Sequence, residues 1–358
     1  ALSANTTGTR NTAIGVAAAD ACVDGANDNI AIGYDALGAN TGGDYNVVVG
    51  NYAHASSNGA GYNVAVGHNA LNANQTSDNL AIGYNAGLSI TTGNNNVCIG
   101  NNAGDAITTA NYNTAVGRKA LSGNTTHANN TAVGYEAMFS GSSSSNTVVG
   151  YNALRSGGGG ASCAFGVQAL YNCSTGTDNV AVGKQAGQDV TTGTNNMFFG
   201  LDAGRSNSPT GSITNENNHI CMGNNSHSYF GCKVSLTVTS DRRDKSDITD
   251  FNYGLSWINK LRPVTYKWDM RSNYENGIPD GSKKEPKLFI GLIAQEELEV
   301  EKEHGFANDR DDMLITTEND EGNYGMEYDR LVPILINAVK ELSAENTALK
   351  ARLDAAGL

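Results

Sequence analysis

One pentad recurs through the first two thirds of this chain and limits what it can fold into. Asn11-Thr-Ala-Ile-Gly15 returns at Asn29 to Gly33, Asn46 to Gly50, Asn63 to Gly67, Asn79 to Gly83, Asn96 to Gly100 and Asn113 to Gly117. Further copies end at Gly134, Gly150, Gly166, Gly183, Gly200 and, after a longer insertion, Gly223. These 13 copies have successive glycines 16 to 18 residues apart as far as Gly200, and Ala follows three residues after nearly every glycine. Self-similarity at a short period marks a solenoid, in which no repeat buries its apolar side alone and stacking makes the core. The turns should be β, because this period is too short for a helix pair and apolar residues such as Val64 and Val66 flank a small one, Ala65. Segments such as Thr91-Thr-Gly-Asn-Asn95 supply the turns, and the recurrent Asn is placed to form a hydrogen-bond ladder between rungs. Strands about 4.8 Å apart would give a rod of roughly 60 Å.

The rhythm stops before Ser240, where the charge density rises about fourfold. Residues 1–239 hold 12 acidic and 7 basic side chains, whereas residues 240–358 hold 24 and 16. We therefore expect a β-solenoid shaft over 1–204, a last repeat and junction strand over 205–239, and a second module over 240–358. In the junction, Pro209 and a Gly/Ser/Asn run break the period, and Gly231 to Thr239 alternates as a strand leading into Ser240. The net charge of −13 argues against nucleic acid as the principal partner. No apolar run is long enough to insert in a membrane, and the first residues lack the pattern of a signal peptide. Because the repeat is under way from the start, we expect a fragment whose N-terminal attachment region is missing.

The six cysteines, at 22, 98, 163, 173, 221 and 232, show no C-x-x-C pair, and we expect free buried thiols. No metal site and no cofactor are expected. The shaft lacks the dense Asp pattern of calcium-binding repeats, and Asn308-Asp-Arg-Asp-Asp312 lacks the Gly and terminal Glu of a calcium loop. Few acids and no Trp in the shaft leave no visible glycosidase site, since Trp257 and Trp268 both follow the boundary. The tyrosines at 34, 84, 135 and 151 are read as covers for rung edges rather than as a glycan-binding ladder.

Residues 5 to about 226 resemble the β-roll head repeats of trimeric autotransporter adhesins and the related repeats of phage fibres. In those families three chains pack side by side, and the thin apolar supply per rung here makes trimerisation the natural remedy. After the boundary come Ser240-Asp241-x-Arg243-x-Lys245-x-x-Ile248, Leu261-Arg-Pro263-Val-Thr-Tyr266-x-Trp268, Gly291-Leu-Ile-Ala-Gln295-Glu296, and Tyr328-x-x-Leu331-x-Pro333 through Ala338 to Leu342. These four ordered blocks resemble the endosialidase-type intramolecular chaperone (peptidase S74 type). This is the self-cleaving C-terminal domain of phage tail fibres and spikes, found also in myelin regulatory factor proteins. Asp244 and Asp247 depart from the family, which often has an apolar residue and Asn there. The resemblance implies a Ser-Lys dyad of Ser240 and Lys245 that cuts the bond between Thr239 and Ser240, with Asp241, Arg243, Gln295 and Glu296 as supporting motif residues. On its own chemistry the pair is reasonable: a serine hydroxyl needs a base, and a lysine can serve if burial lowers its pKa.

Within this module we expect a short helix over 253–261, a strand over 287–294, a projecting arm over 271–287 and a helix from Leu331 to about Leu353. Along that helix Leu335, Val339, Leu342, Asn346, Leu349 and Leu353 alternate at spacings of four and three, the seam of a self-associating coiled coil. The expected fold is thus a mainly β repeat solenoid, a trimeric β-roll or β-helix shaft, followed by an α+β chaperone domain ending in a long C-terminal coiled-coil helix. The expected function is the distal part of a phage tail fibre or spike for host attachment, whose C-terminal domain drives homotrimer assembly and then releases itself by autoproteolysis. Its partners would be itself and a host cell-surface receptor, with a glycan as one candidate. It would be assembled in the host cytoplasm and act on the virion, extracellularly after release. The alternatives are a trimeric cell-surface adhesin, or a tailspike with a hydrolase domain upstream.

Overall fold

The computed structural model describes every residue except 23, 24, 228, 232, 234–236, 320, 321 and 358. The chain divides into two compact units, Ala1–His227 and Ser228–Leu358.

In unit 1 each pentad contributes one three-residue strand, from β1 (Thr12–Ile14) to β13 (Ile220–Met222). All thirteen join one parallel sheet in chain order. The register never slips, with Val97 opposite Thr114 and Thr114 opposite Thr131. The middle residue of a strand points inward, so Ala31, Val48, Cys98, Ala115 and Phe198 are fully buried, while its neighbours face outward. The core is small-residue packing, with the Ala three residues after nearly every pentad glycine forming a second inner column, as at Ala36, Ala70, Ala120 and Ala153.

Two rung types share this core. One places a large residue four positions after the glycine, at Leu37, Leu71, Leu121, Met138, Leu154 and Leu170. The other has glycine there, as at Gly87, Gly104 and Gly187, and fills the space from three residues later with Ile90, Ile107 and Val190. A Cβ at Gly87 would lie 3.0 Å from both Ile90 Cδ1 and Leu71 Cδ2. The two residues therefore exclude a side chain at the position that the first rung type fills. The strand-ending glycine is required for a different reason. Gly117 has φ +128°, and a Cβ there would meet the Gly134 carbonyl oxygen at 2.4 Å.

The expected asparagine ladder forms. Asn96 donates its backbone N–H (3.0 Å) and its Nδ2 (3.2 Å) to Asn79 Oδ1, and Asn113 repeats both bonds to Asn96 Oδ1. Asn96 Nδ2 also donates to the Ala110 carbonyl at 2.8 Å, so the side chain ties three rungs together. At Ser162 a hydroxyl stands in, accepting from the Asn179 N–H. Tyrosines on the outside lean on their neighbours, exposed Tyr34 edge-on to Tyr52 at 5.1 Å and half-buried Tyr135 stacked on Tyr151 at 5.3 Å. Cys22, Cys98, Cys173 and Cys221 are free and buried and Cys163 is free and partly buried, whereas Cys232 lies outside the described residues.

Unit 2 is a small α+β fold. Its regular elements are α1 (Leu255–Ile258), β14 (Val264–Tyr266), β15 (Phe289–Gly291), α2 (Ala294–Glu303), β16 (Thr316–Glu318), β17 (Tyr324–Met326) and α3 (Leu331–Ala356). β14 pairs with β15 and β16 with β17, both antiparallel. Trp257, Val300, Ile315, Leu331 and Ile334 form the core. α1 is shorter than the helix expected over 253–261, because Gly254 precedes it and its N-terminal Leu255 N–H is capped from α3 by Glu341 Oε2 at 2.7 Å. The strand expected over 287–294 is confined to β15, since Ala294 already opens α2. Within 271–287 the arm contains one 3-10 turn, Arg271–Asn273. Of the strand expected over 231–239, residues 232 and 234–236 lie outside the described residues, and 231, 233 and 237–239 carry no strand pairing. No helix among the described residues is long and apolar enough to cross a membrane.

Candidate functional site

Ser240 opens a short stretch that folds on itself. Asp241 caps a 3-10 turn, Arg242–Asp244, by accepting the Arg243 backbone N–H at 2.9 Å. The Arg243 guanidinium folds back onto the same carboxylate with contacts of 2.6 to 3.2 Å and holds it below its usual carboxylate range. Asp244 N–H and Lys245 N–H close the turn on the carbonyls of Asp241 and Arg242. This brings Lys245 back to the start of the segment, and its Nζ lies 2.6 Å from Ser240 Oγ. Asp247 follows with φ +51°, a left-handed conformation that Asp and Asn adopt more readily than most residues.

A hydroxyl hydrogen-bonded to a lysine is the arrangement from which a serine nucleophile is activated, provided the amine can take its proton. The burial that chemistry calls for is absent from the single chain, since both Ser240 and Lys245 are exposed. The other motif residues do not join the pair. Gln295 is exposed at the start of α2, and Glu296 is held there by Arg262, which keeps its carboxylate below the usual range.

The acids that matter to the fold are ones sequence reasoning passed over. Glu301 is fully buried and accepts the N–H groups of Leu314, Ile315 and Thr316 together with the Thr316 hydroxyl, pinning the strand region to α2. Glu297, one turn earlier, accepts from Trp257 Nε1 at 2.8 Å, and burial pushes its pKa up. The legible signal was their i, i+4 spacing around the buried Leu298 and Val300.

On α3, Leu335, Val339, Leu342, Asn346, Leu349 and Leu353 are all exposed. Val332, 52 % exposed, continues the column one step toward the N-terminus, beyond the seam read from sequence. Among the described residues, no group of three His, Cys, Asp or Glu side chains is arranged to hold a metal ion.

No curated protein and no solved structure is similar enough to this chain to count as a match. Residues 240–306 match the family profile described as chaperone of endosialidase, of the peptidase S74 type. That domain implies trimer assembly and autoproteolytic serine peptidase activity. Its first matched residue is Ser240, so the stretch similar to the chaperone-of-endosialidase family, 240–306, follows the β-solenoid in the chain.

Proposed function

We propose that this chain is the distal part of a viral tail fibre or spike for host attachment, whose C-terminal domain assembles three copies and then cuts itself away at Thr239-Ser240. The observation that carries this reading is the 2.6 Å contact between Lys245 Nζ and Ser240 Oγ, at the first residue of the chaperone match. The divisions we propose are a shaft over 1–204, a last repeat and junction over 205–239, and the self-cleaving chaperone over 240–358.

In the proposed reaction Ser240 Oγ attacks the Thr239 carbonyl carbon while Lys245, in its neutral form, takes the hydroxyl proton. The tetrahedral intermediate expels the Ser240 amine, which receives that proton from Lys245, and leaves Thr239 esterified to Oγ. Water then hydrolyses the ester and frees the Thr239 carboxylate. Burial by neighbouring copies would lower the cost of a neutral lysine, so that cleavage waits for assembly.

Two surfaces support self-association. The outward strand positions of the shaft, two on each of thirteen rungs, hold no charged residue, and they include Val182 (42 % exposed), Phe165 (40 %) and Met197 (39 %). The second surface is the exposed column on α3. Successive shaft rungs look alike, so chains slipped by one rung would bury nearly the same surface. A C-terminal seed sets the register once and raises the local concentration of the three shafts.

Denaturing electrophoresis with intact mass tests the reading. Wild type should yield fragments 1–239 and 240–358, and Ser240→Ala should stay whole while still forming trimers. Cleavage of Ser240→Ala at the wild-type rate would refute the assignment.

A further inference from the structure

An apolar groove of about 480 Å³ runs beside the root of α3. It is lined by Ile258 and Leu261 around the end of α1, Ile290 and Leu292 around β15, and Leu331 and Leu335 on α3. Ile290 is 78 % exposed, so the groove has an open apolar rim.

The heptad of α3 says which flank the groove lies on. With Val332, Val339, Asn346 and Leu353 at a and Leu335, Leu342 and Leu349 at d, Leu331, Ala338 and Glu345 fall at g. Ile336, Ser343 and Lys350 fall at e, on the opposite flank. Leu331 and Leu335 therefore place the groove on the d/g flank. In a parallel bundle the g flank of one helix faces the e flank of its neighbour, each g residue meeting the e residue of the following heptad. Glu345 would then meet Lys350 of the next copy, an opposite-charge pair that favours the parallel, in-register arrangement. Two heptads toward the N-terminus the same rule brings Ile336 to Leu331. Ile336 is 49 % exposed in its own chain, an apolar residue on a flank whose other e positions are polar.

We propose that the groove beside Leu331 is the docking site for Ile336 of a second copy of this chain, repeated around a closed ring of three. The inference rests on the homotrimer reading above and adds to it a specific pocket and its occupant. It also gives the β14–β15 hairpin a role in assembly, since Ile290 and Leu292 would hold the neighbour's helix on the side away from the helical seam.

The test replaces Ile336 with the photo-crosslinking residue p-benzoylphenylalanine in the full chain, followed by irradiation, denaturing electrophoresis and peptide mapping. Covalent dimers and trimers of the whole chain or of released 240–358, joined through peptides containing 258–261 or 290–292, would support the proposal. A trimeric protein whose photoproducts map elsewhere overturns the docking site and leaves the trimer standing. A monomeric protein by light scattering overturns both. As a second variant, Ile336→Asp should raise the concentration for half-assembly roughly a hundredfold, through a charge left buried without a partner, with unchanged helix content by circular dichroism. Unaltered assembly in that variant would also overturn it.

Discussion

Lys245 reaches Ser240 within a single turn, with Nζ 2.6 Å from Oγ, because Asp241 holds the intervening backbone and the Arg243 guanidinium at once. The contact is thus encoded locally, by six consecutive residues. What those residues cannot supply is shelter from water, which leaves assembly as the proposed trigger.

Replacing the base while keeping the charge separates chemistry from placement. Lys245→Arg retains a cation near Ser240 but cannot give up a proton at accessible pH. We expect cleavage to fall by about a hundredfold or more, the general-base contribution, while light scattering still shows trimers. A variant that cleaves at the wild-type rate would remove Lys245 from the reaction.

A charge within the α3 column should block assembly. Leu342→Asp or Leu349→Asp places a carboxylate where the proposed seam buries it without a partner, at a cost of several kcal/mol. Both residues are 51 % exposed in the single chain, so the fold of unit 2 should survive and circular dichroism should change little. Size-exclusion chromatography with light scattering reads the result, and heat-resistant trimers from either variant would show the column to be dispensable.

Asn96→Ala cuts the shaft's ladder in mid-course. It removes the Nδ2 bonds to Asn79 and to Ala110, and leaves the Asn113 N–H without its acceptor in a buried place. The backbone N–H of residue 96 can still reach Asn79, so the loss is about 2 to 4 kcal/mol rather than the sum of every bond. Denaturant unfolding of wild type and variant, both carrying Ser240→Ala to keep the chain whole, measures it.

His54 gives the shaft an acid-sensitive rung. It occupies the place of Leu37 and Leu71, accepts at Nε2 from Asn74 Nδ2 at 3.0 Å, and has no partner at Nδ1. Burial pushes its pKa down to about 4 from 6.5. The folded state therefore binds its proton later than the unfolded state, so stability is full above about pH 6.5 and is lost as pH falls toward 4, by about 3 kcal/mol at most. His54→Leu should flatten that part of the pH profile. A thermal-melt series from pH 7 to 4 in which the two proteins lose stability in parallel would rule His54 out as the cause.

Much of the fold was legible because the pentad carries its own geometry. Val64-Ala65-Val66 announces a strand with a small inward residue, and Gly67 announces the turn beyond it. The division into two rung types was less visible, since Ile90 fills the space left by Gly87 from a different point in the repeat, and nothing local links the two. In unit 2 the sequence shows a heptad on α3 plainly, but α1 begins only at Leu255, where its first N–H is capped by Glu341, a residue far along the chain. Buried acids such as Glu301 are read as surface charge until the backbone N–H groups around them are seen. At the candidate site, Ser240 and Lys245 are marked by resemblance, whereas the turn that joins them follows from Asp241 as a cap.

The unbroken register of the thirteen strands makes the shaft a ruler. Because Val97 meets Thr114 in the way that Thr114 meets Thr131, excising a whole period rejoins two edges that already fit. Reach could then be reset in steps of about 4.8 Å, one rung at a time, without redesigning either end. The bookkeeping that limits such splicing is in the core: a junction must deliver either a leucine-type side chain four residues after its glycine or an isoleucine-type one seven after it, and a graft that supplies both crowds the rung while one that supplies neither leaves it hollow.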